Sequence, residues 1–427
     1  MLIPLFIITI ILMFLGIPIA YSLGFAALVS IVVGGFPLGV LIQRMFIGIN
    51  SFILLALPLF VLAGGLMNET GIAEQLVNFS KVLVGKVRGS LAIVNIVTSI
   101  FFAGISGSAT ADTSALGTIL IPAMEKEGYD TDFSAAVTAA SSVIGPIIPP
   151  SIIMVILGVA TDLSIGGLFV AGFFPGILLG LLSIIIAIII SRQKDYGKRV
   201  KNSIPIKKKL KIVSNSIPAL VMPFIILGGL LSGFFTPTEA AGIAVLYASL
   251  YGLFTKRLSF AKIKKVLINT IDVVGTILII ISTASAVGWI LATNQVPDII
   301  SQWFLQNIGS TTVFLILIDI FLIIVGMFFD GAAAIVIFAP TLILVAETMG
   351  ISKLHFGFII GFNLTLGMST PPLGLCLYVA SSIAKISVLK ISKAILPFYI
   401  AYIIALVIVT FVPAFILFLP KLFGFSY

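Results

Sequence analysis

Charge is scarce in this chain. Only 9% of its 427 residues are Asp, Glu, Lys or Arg, where a soluble domain carries about 25%. A water-soluble globular fold is therefore excluded. There is one cysteine, Cys376, and one histidine, His355. That rules out a disulfide framework and leaves a Cys/His metal centre without ligands. Cys376 lies in an apolar helix and reads as packing. No nucleotide loop, zinc motif or nucleophile–base set occurs, so no enzyme class is supported. A removable signal peptide is missing too. No basic segment precedes the first apolar run, and no small-residue cleavage site follows Gly16.

Hydrophobic residues, by contrast, make up 60% of the chain, and the mean hydropathy is +1.29. Apolar runs of transmembrane length recur from end to end, as at 2–15, 213–233, 265–292 and 394–419. The fold class is an all-α polytopic membrane protein, because helices satisfy their own backbone in lipid. The net charge of +9 reads as an orientation signal in loops rather than a nucleic-acid surface.

The chain repeats itself at a shift of about 220 residues. Pro18 falls near Pro237 and Gly24 near Gly242. Asp112 and Pro122 match Asp330 and Pro340 at a shift of 218. After a four-residue insertion the shift is 222, matching Gly128 with Gly350, Gly145 with Gly367, and Pro149-Pro150 with Pro371-Pro372. The hydrophilic stretch 192–211 separates the halves. It holds nine Lys/Arg and one acid, Asp195, and reads as a cytoplasmic basic linker. Docking to lipid or a partner is a minor alternative for it.

Charge decides the repeat's orientation. With 192–211 in the cytoplasm, 73–90 carries Lys81, Lys86 and Arg88, while its counterpart 293–310 carries only Asp298. The 161–164 loop has only Asp162, while its counterpart 383–393 has Lys385, Lys390 and Lys393. Matching segments face opposite sides, and 21 of the 24 Lys/Arg become cytoplasmic, the exceptions being Arg44, Lys353 and Lys421. Both termini then lie in the periplasm. The repeat is inverted, as in secondary transporters. The first repeat is 1–191, with outer helices in 1–72, a hairpin at 88–124 and a broken helix at 131–160. The second is 212–427, with outer helices in 213–292, a hairpin at 311–347, a broken helix at 355–384 and a final helix at 393–420.

This topology requires 88–124 and 311–347 to enter and leave on one side. Each has a polar, glycine-containing interruption, so each is expected to form a re-entrant helical hairpin. The first tip is 104–112 (GISGSATAD) and the second 326–331 (GMFFDG). Inversion brings the tips together at mid-membrane. The breaks are 141–150 (SSVIGPIIPP) and 363–372 (NLTLGMSTPP). Pro-Pro removes donors and unwinds the span. The freed carbonyls need partners where there is no water. A sodium ion supplies one, and half-helix N-termini can face an anion.

Asp112 and Asp330 have three roles open: cation ligand, proton carrier, or cap of a hairpin half-helix. Capping is preferred. Asp272 is placed near the cytoplasmic membrane edge, and Asp319 has no explanation. No Lys or Arg lies near either tip or break, so a carboxylate cargo would be held by dipoles, hydroxyls and bound cations.

At these residues the chain resembles the large membrane subunit of tripartite ATP-independent periplasmic (TRAP) transporters. The resemblance rests on 58–67 (PLFVLAGGLM), 104–112, 144–151 (IGPIIPPS), 235–242 (FTPTEAAG) and 370–374 (TPPLG), which span essentially the whole chain. It implies an elevator-type ion-transporter fold, coupling to a sodium gradient, and location in the bacterial inner membrane. It implies two partners, a small four-helix membrane subunit and a soluble periplasmic substrate-binding protein. It implies a small organic anion as cargo: a C4-dicarboxylate, sialic acid, a sugar acid or a keto acid. Carried onto this chain, one sodium site uses Ser106, Ser108, Gly145, Ile148 and Pro150. The second uses Gly326, Gly331, Gly367 and Thr370. Substrate lies near Gly107, Asp112, Ser142, Asp330, Asn363 and Ser369. The first helix starts at residue 2, so the expectation is a large subunit not fused to its small partner.

Two competing classes remain. A stand-alone sodium- or proton-coupled dicarboxylate transporter shares hairpins and inverted halves but carries Ser-Asn-Thr signatures, absent here from tips and breaks. A passive channel would show no saturable, gradient-driven uptake.

Overall fold

The computed structural model describes residues 1–85, 87–197, 205–308 and 310–425. The described residues are helical from end to end. The first half contains α1 (Leu2–Phe14), α2 (Ile19–Val33), α3 (Gly39–Ile49), α4 (Ala56–Glu69), α5 (Ile72–Val84), α6 (Ser90–Ser106), α7 (Ala109–Lys126), α8 (Thr131–Ser142), α9 (Ile152–Thr161) and α10 (Ile165–Gln193). The second contains α11 (Ile206–Leu231), α12 (Pro237–Phe254), α13 (Phe260–Thr293), α14 (Val296–Asn307), α15 (Thr311–Phe328), α16 (Gly331–Thr348), α17 (Lys353–Gly367), α18 (Leu375–Ala384), α19 (Val388–Ile395), α20 (Phe398–Phe411) and α21 (Pro413–Leu422). Among the described residues six helices are long and apolar enough to cross a membrane, or up to eight if each bent pair is one span. The protein is multi-pass.

The halves correspond helix by helix. The two hairpins, α6–α7 and α15–α16, and the broken helices, α8–α9 and α17–α18, align at one shift. Helix α7 at 109–126 matches α16 at 331–348, a shift of 222 at both ends. No four-residue insertion is needed, which corrects the register read from Asp112 and Asp330. The counterpart of Asp330 is Ser108, and that of Asp112 is Ala334. Likewise Pro340 aligns with Thr118 rather than Pro122. Aspartate is rare in this chain, so the equal Asp–Pro spacing in the two halves stands out although it is a coincidence of register.

Two bodies of helices result. Helices α1–α4 pack with α11–α13 in an outer layer. Hairpins, broken helices, α10 and α19–α21 form the inner body. Helices α8 and α17 lie deepest: every residue from Phe133 to Ser142 and from Leu354 to Gly367 is buried. The pairing is reciprocal, with α9 of one half on α16 of the other and α18 on α7.

Two spans differ from the sequence reading. The final helix 393–420 is broken into α19, α20 and α21, with a 64° bend between α20 and α21. Pro397 and Pro413 open the two later pieces, where a missing N–H is harmless. The basic linker 192–211 is helical at both ends. Arg192 ends α10, and Lys207, Lys208, Lys209 and Lys211 form the first turns of α11. Lys198, Arg199 and Lys201 fall outside the described residues.

Basic segments gather at one end of the molecule. Lys265 pairs with Glu69 at 2.9 Å, and Arg257 donates to the Thr70 carbonyl at 2.8 Å. Arg88 pairs with Asp195. Lys194 and Tyr196 both bond Asp130, the former at 2.9 Å. Helix α19, with Lys390 and Lys393, packs on α8 beside them.

Candidate functional site

Each hairpin tip docks on the break of its own half through backbone. At tip 1, Gly107 ends α6 with φ +61°, the left-handed region. Its carbonyl accepts from the Ile152 N–H at 3.3 Å. A Cβ there would stand 2.6 Å from the Pro150 carbonyl oxygen. At tip 2, a Cβ on Gly367 would stand 2.5 Å from the Gly326 backbone, and the Gly374 N–H donates to the Met327 carbonyl at 3.4 Å. Glycine is needed because main chain meets main chain. The breaks themselves are turns between α8 and α9, fully buried, and between α17 and α18, buried up to Ser369 and exposed at Pro372 and Leu373. Ser151 caps α9, accepting from Met154 at 3.2 Å, and donates to the Pro146 carbonyl.

The two hairpin aspartates divide the roles. Asp330 is the N-cap of α16 and accepts from the Ala332 N–H at 3.0 Å, as the capping reading has it. Asp112 does not cap. Ser108 holds that position in α7. Asp112 is fully buried one turn on, accepts from the Ser106 hydroxyl, and leaves Oδ2 without a partner. That oxygen lies against Gly145, where any side chain would collide with it. A buried, half-satisfied carboxylate oxygen beside an unwound backbone suits a cation.

A cavity of about 580 Å³ lies between the outer layer and the tips. Gly107, Ser108 and Thr110 line it from tip 1, Asp330 and Ala332 from tip 2, Pro146 and Met368 from the breaks, and Asp272 and Thr276 from α13. An adjoining cavity of about 370 Å³ shares Ser108, Thr110, Ile152 and Val273 with it. This second space adds Ser106, Asn68 and Asn269. Asn68 adjoins Glu69, which bonds Lys265 of the basic end.

Of the residues expected at the first sodium site, Ser106 and Gly145 both contact Asp112, which was expected at the substrate, and Pro150 faces Gly107. Ser108 accepts from the Ala111 N–H at 3.5 Å and faces both cavities. The Ile148 side chain turns away, onto Gly176. In the second set, Gly326 and Gly367 touch, and Thr370 donates to the Leu366 carbonyl at 2.9 Å. Gly331 faces elsewhere, toward Ile153 of the other half.

Of the six residues expected at the substrate, Gly107 and Asp330 line the central cavity. The other four lie behind the tips and do not line it. Asp112 is occupied as above. Ser142 donates to the Thr138 carbonyl at 2.7 Å. Ser369 pairs with the Tyr402 hydroxyl at 2.7 Å. Asn363 donates to Asp319 at 2.8 Å, and Thr410 does the same at 2.8 Å. Helices α8 and α17 run through the middle of the inner body, so these side chains meet neighbouring helices rather than open space. Asp319 thereby gains its explanation: it ties α15, α17 and α20 together. Asp272 is the residue sequence reasoning missed. Its helix starts at Phe260, not 265, so Asp272 lies about 18 Å along a helix about 50 Å long. An acid well inside an apolar span was the available signal.

Hairpins, broken helices and inverted halves around one cavity define a membrane transporter fold. Two solved structures share it. One is the YdaH transporter of Alcanivorax borkumensis, with TM-score 0.62 and 13% identity, covering 87% of this chain and 86% of that one. The other is MtrF of Neisseria gonorrhoeae, described as an antimetabolite efflux pump, with TM-score 0.60 and 14% identity, covering 88% and 83%. At such identities the likeness concerns the fold alone. Residues 6–415 match the family described as tripartite ATP-independent periplasmic transporter, DctM component. Among relatives, the sialic acid TRAP transporter large permease SiaM of Vibrio cholerae is 38% identical over 414 residues, covering 96% of each chain. The uncharacterized YgiK of Salmonella typhimurium is 38% identical over 413 residues, covering 96% of this chain and 94% of its own. The C4-dicarboxylate large permease DctM of Pseudomonas aeruginosa is 36% identical over 384 residues, covering 90% of each. The chain belongs to the TRAP transporter large-permease family, which transports and has no enzymatic role.

Proposed function

We propose that this chain is the translocating subunit of a sodium-driven importer of a small organic anion in a bacterial inner membrane. Cargo arrives on a periplasmic binding protein, and a small four-helix membrane subunit braces the outer layer. The inner body slides against that layer as an elevator, carrying cargo and ions together. Both termini face the periplasm. One observation carries the reading: two hairpin tips, each seated on a broken helix, face one cavity at the boundary between the two bodies.

Sodium fits the tip 1 set because Asp112 Oδ2 is buried without a partner beside Ser106 and the Gly145 backbone. The Gly326, Gly367 and Thr370 set is read as the second sodium site by its place at the second tip and break, where Gly326 and Gly367 touch. Bound sodium supplies the positive charge that an anion needs in a cavity that no Lys or Arg lines among the described residues. The adjoining space reaches toward the basic end, which is cytoplasmic by the positive-inside rule.

The test is reconstitution of the chain with its two partners in proteoliposomes, with uptake of labelled acid measured with and without an inward sodium gradient. The expected result is uptake only with all three components and the gradient. Transport by the chain alone would transfer it to the stand-alone class. Ser106→Ala is expected to weaken the sodium response at least fivefold at unchanged expression. A wild-type sodium response in that variant refutes the tip 1 assignment.

A further inference from the structure

The central cavity holds a carboxylate from each body: Asp272 on α13 of the outer layer and Asp330 on tip 2. No Lys, Arg or His lines it among the described residues. The two acids are not equivalent. Asp330 already accepts from the Ala332 N–H. Asp272 is exposed to the cavity, and only its main-chain oxygen is engaged, by the Thr276 hydroxyl at 2.8 Å. Its carboxylate has no hydrogen-bond or ion-pair partner among the described residues.

An ionised carboxylate only accepts hydrogen bonds, at about four lone-pair sites. A cargo that completes this surface must bring donors. It must also tolerate two fixed negative charges with no guanidinium to offset them. Cations at the tips can balance one carboxylate of the cargo. A second one, on a compact diacid, would approach Asp272 uncompensated. At roughly 6 Å and an effective dielectric constant of about 20, that repulsion corresponds to a factor on the order of one hundred in affinity. The room available points the same way. The cavity of about 580 Å³ opens into another of about 370 Å³, whose polar lining is hydroxyl and amide.

We propose that Asp272 determines cargo specificity: it accepts hydrogen bonds from hydroxyl groups of a monoanionic, polyhydroxylated acid and repels a second carboxylate. The inference rests on the anion-importer reading above and sharpens it from organic anions in general to sugar acids over dicarboxylates.

The experiment bypasses the binding protein. The full chain is placed in nanodiscs in sodium buffer, and binding of tritiated N-acetylneuraminate is competed with gluconate and with succinate. Variants Asp272→Asn and Asp272→Glu are compared, with size-exclusion profiles as the folding check. Both alter a side chain without internal partners, so both should stay monodisperse. The wild type is expected to bind the sugar acids at least tenfold better than succinate. Asp272→Asn should narrow that ratio at least fivefold, and Asp272→Glu should preserve it. Succinate competing as well as gluconate on the wild type overturns the inference, as does an unchanged ratio in Asp272→Asn. The importer reading survives either result. Absence of sodium-dependent binding of every acid overturns both.

Discussion

Gly107→Ala isolates the contact on which the tip 1 site depends. Two penalties combine there. An L-residue at φ +61° costs about 1–2 kcal/mol relative to glycine. A methyl group 2.6 Å from the Pro150 oxygen forces backbone apart, because neither partner is a side chain that can rotate away. Overpacking of this kind costs about 1–3 kcal/mol. The total is about 2–5 kcal/mol, spent on separating tip from break. Gly128→Ala is the control: φ there is +85°, with nothing within 4 Å of an added Cβ. It carries the conformational penalty alone. Melting of the purified proteins and sodium-driven uptake should be measured side by side. Gly128→Ala is expected to melt slightly lower and transport normally. Gly107→Ala should melt lower still and lose at least nine-tenths of its uptake. Equal melting temperatures with uptake retained in both would refute the claim that backbone contact at the tip holds the site together.

Three further outcomes follow from other contacts. Asp319→Ala strips Thr410 and Asn363 of a buried acceptor and should cost about 2–4 kcal/mol, read as a fall in melting temperature. Asp319→Asn, which keeps the shape and one acceptor, should fall between; a wild-type melt for the alanine variant would refute the tie. At the basic end, the Tyr196 hydroxyl and then the Lys194 ammonium hold the Asp130 carboxyl below its ordinary value of 3.8. That stabilisation is present above the unfolded value and is lost as pH falls through the lower folded one. Asp130→Asn should therefore melt lower at pH 7, and the gap should close below about pH 4; curves that stay parallel would refute the pairing. Gly145→Leu places a side chain into Asp112 Oδ2 and should abolish uptake, which a transport assay on surface-expressed protein checks.

Hairpins and breaks were legible because their chemistry is local. A Gly-Ser interruption in an apolar run, or Pro-Pro inside one, cannot continue a helix whatever surrounds it. Lysines are equally local in what they mark, and the basic segments they pick out do gather at one end of the molecule. What failed was anything decided by a neighbour distant in sequence. Asn363 and Ser369 look like site residues by their place in a break. Their partners, Asp319 and Tyr402, lie 44 and 33 residues away and turn them inward. Asp272 looked peripheral because Lys264 and Lys265 seemed to start its span. Those lysines occupy the second turn of a helix already begun at Phe260.

The corrected register also explains how two copies of one fold divide their labour. Gly104 and Gly326 are equivalent, as are Gly145 and Gly367, yet the tight approach is made differently in each half. Tip 1 turns through the left-handed Gly107 and presses it on Pro150. Its equivalent, Phe329, is extended at φ −105° and needs no glycine, since tip 2 makes its approach earlier, at Gly326 on Gly367. The equivalent caps diverge as well. Ser108 is neutral and leaves the buried charge of tip 1 to Asp112, whereas Asp330 brings its charge to the cavity itself. The backbone frame is repeated, and the charge is not. On the proposed function, an acid hidden behind one tip and exposed at the other assigns the first to holding a cation and the second to walling the cargo chamber. Exchanging the caps, as Ser108→Asp with Asp330→Ser, should keep the fold and its net charge while abolishing uptake. Full transport by that double variant would mean the two tips are interchangeable and this division of labour is wrong.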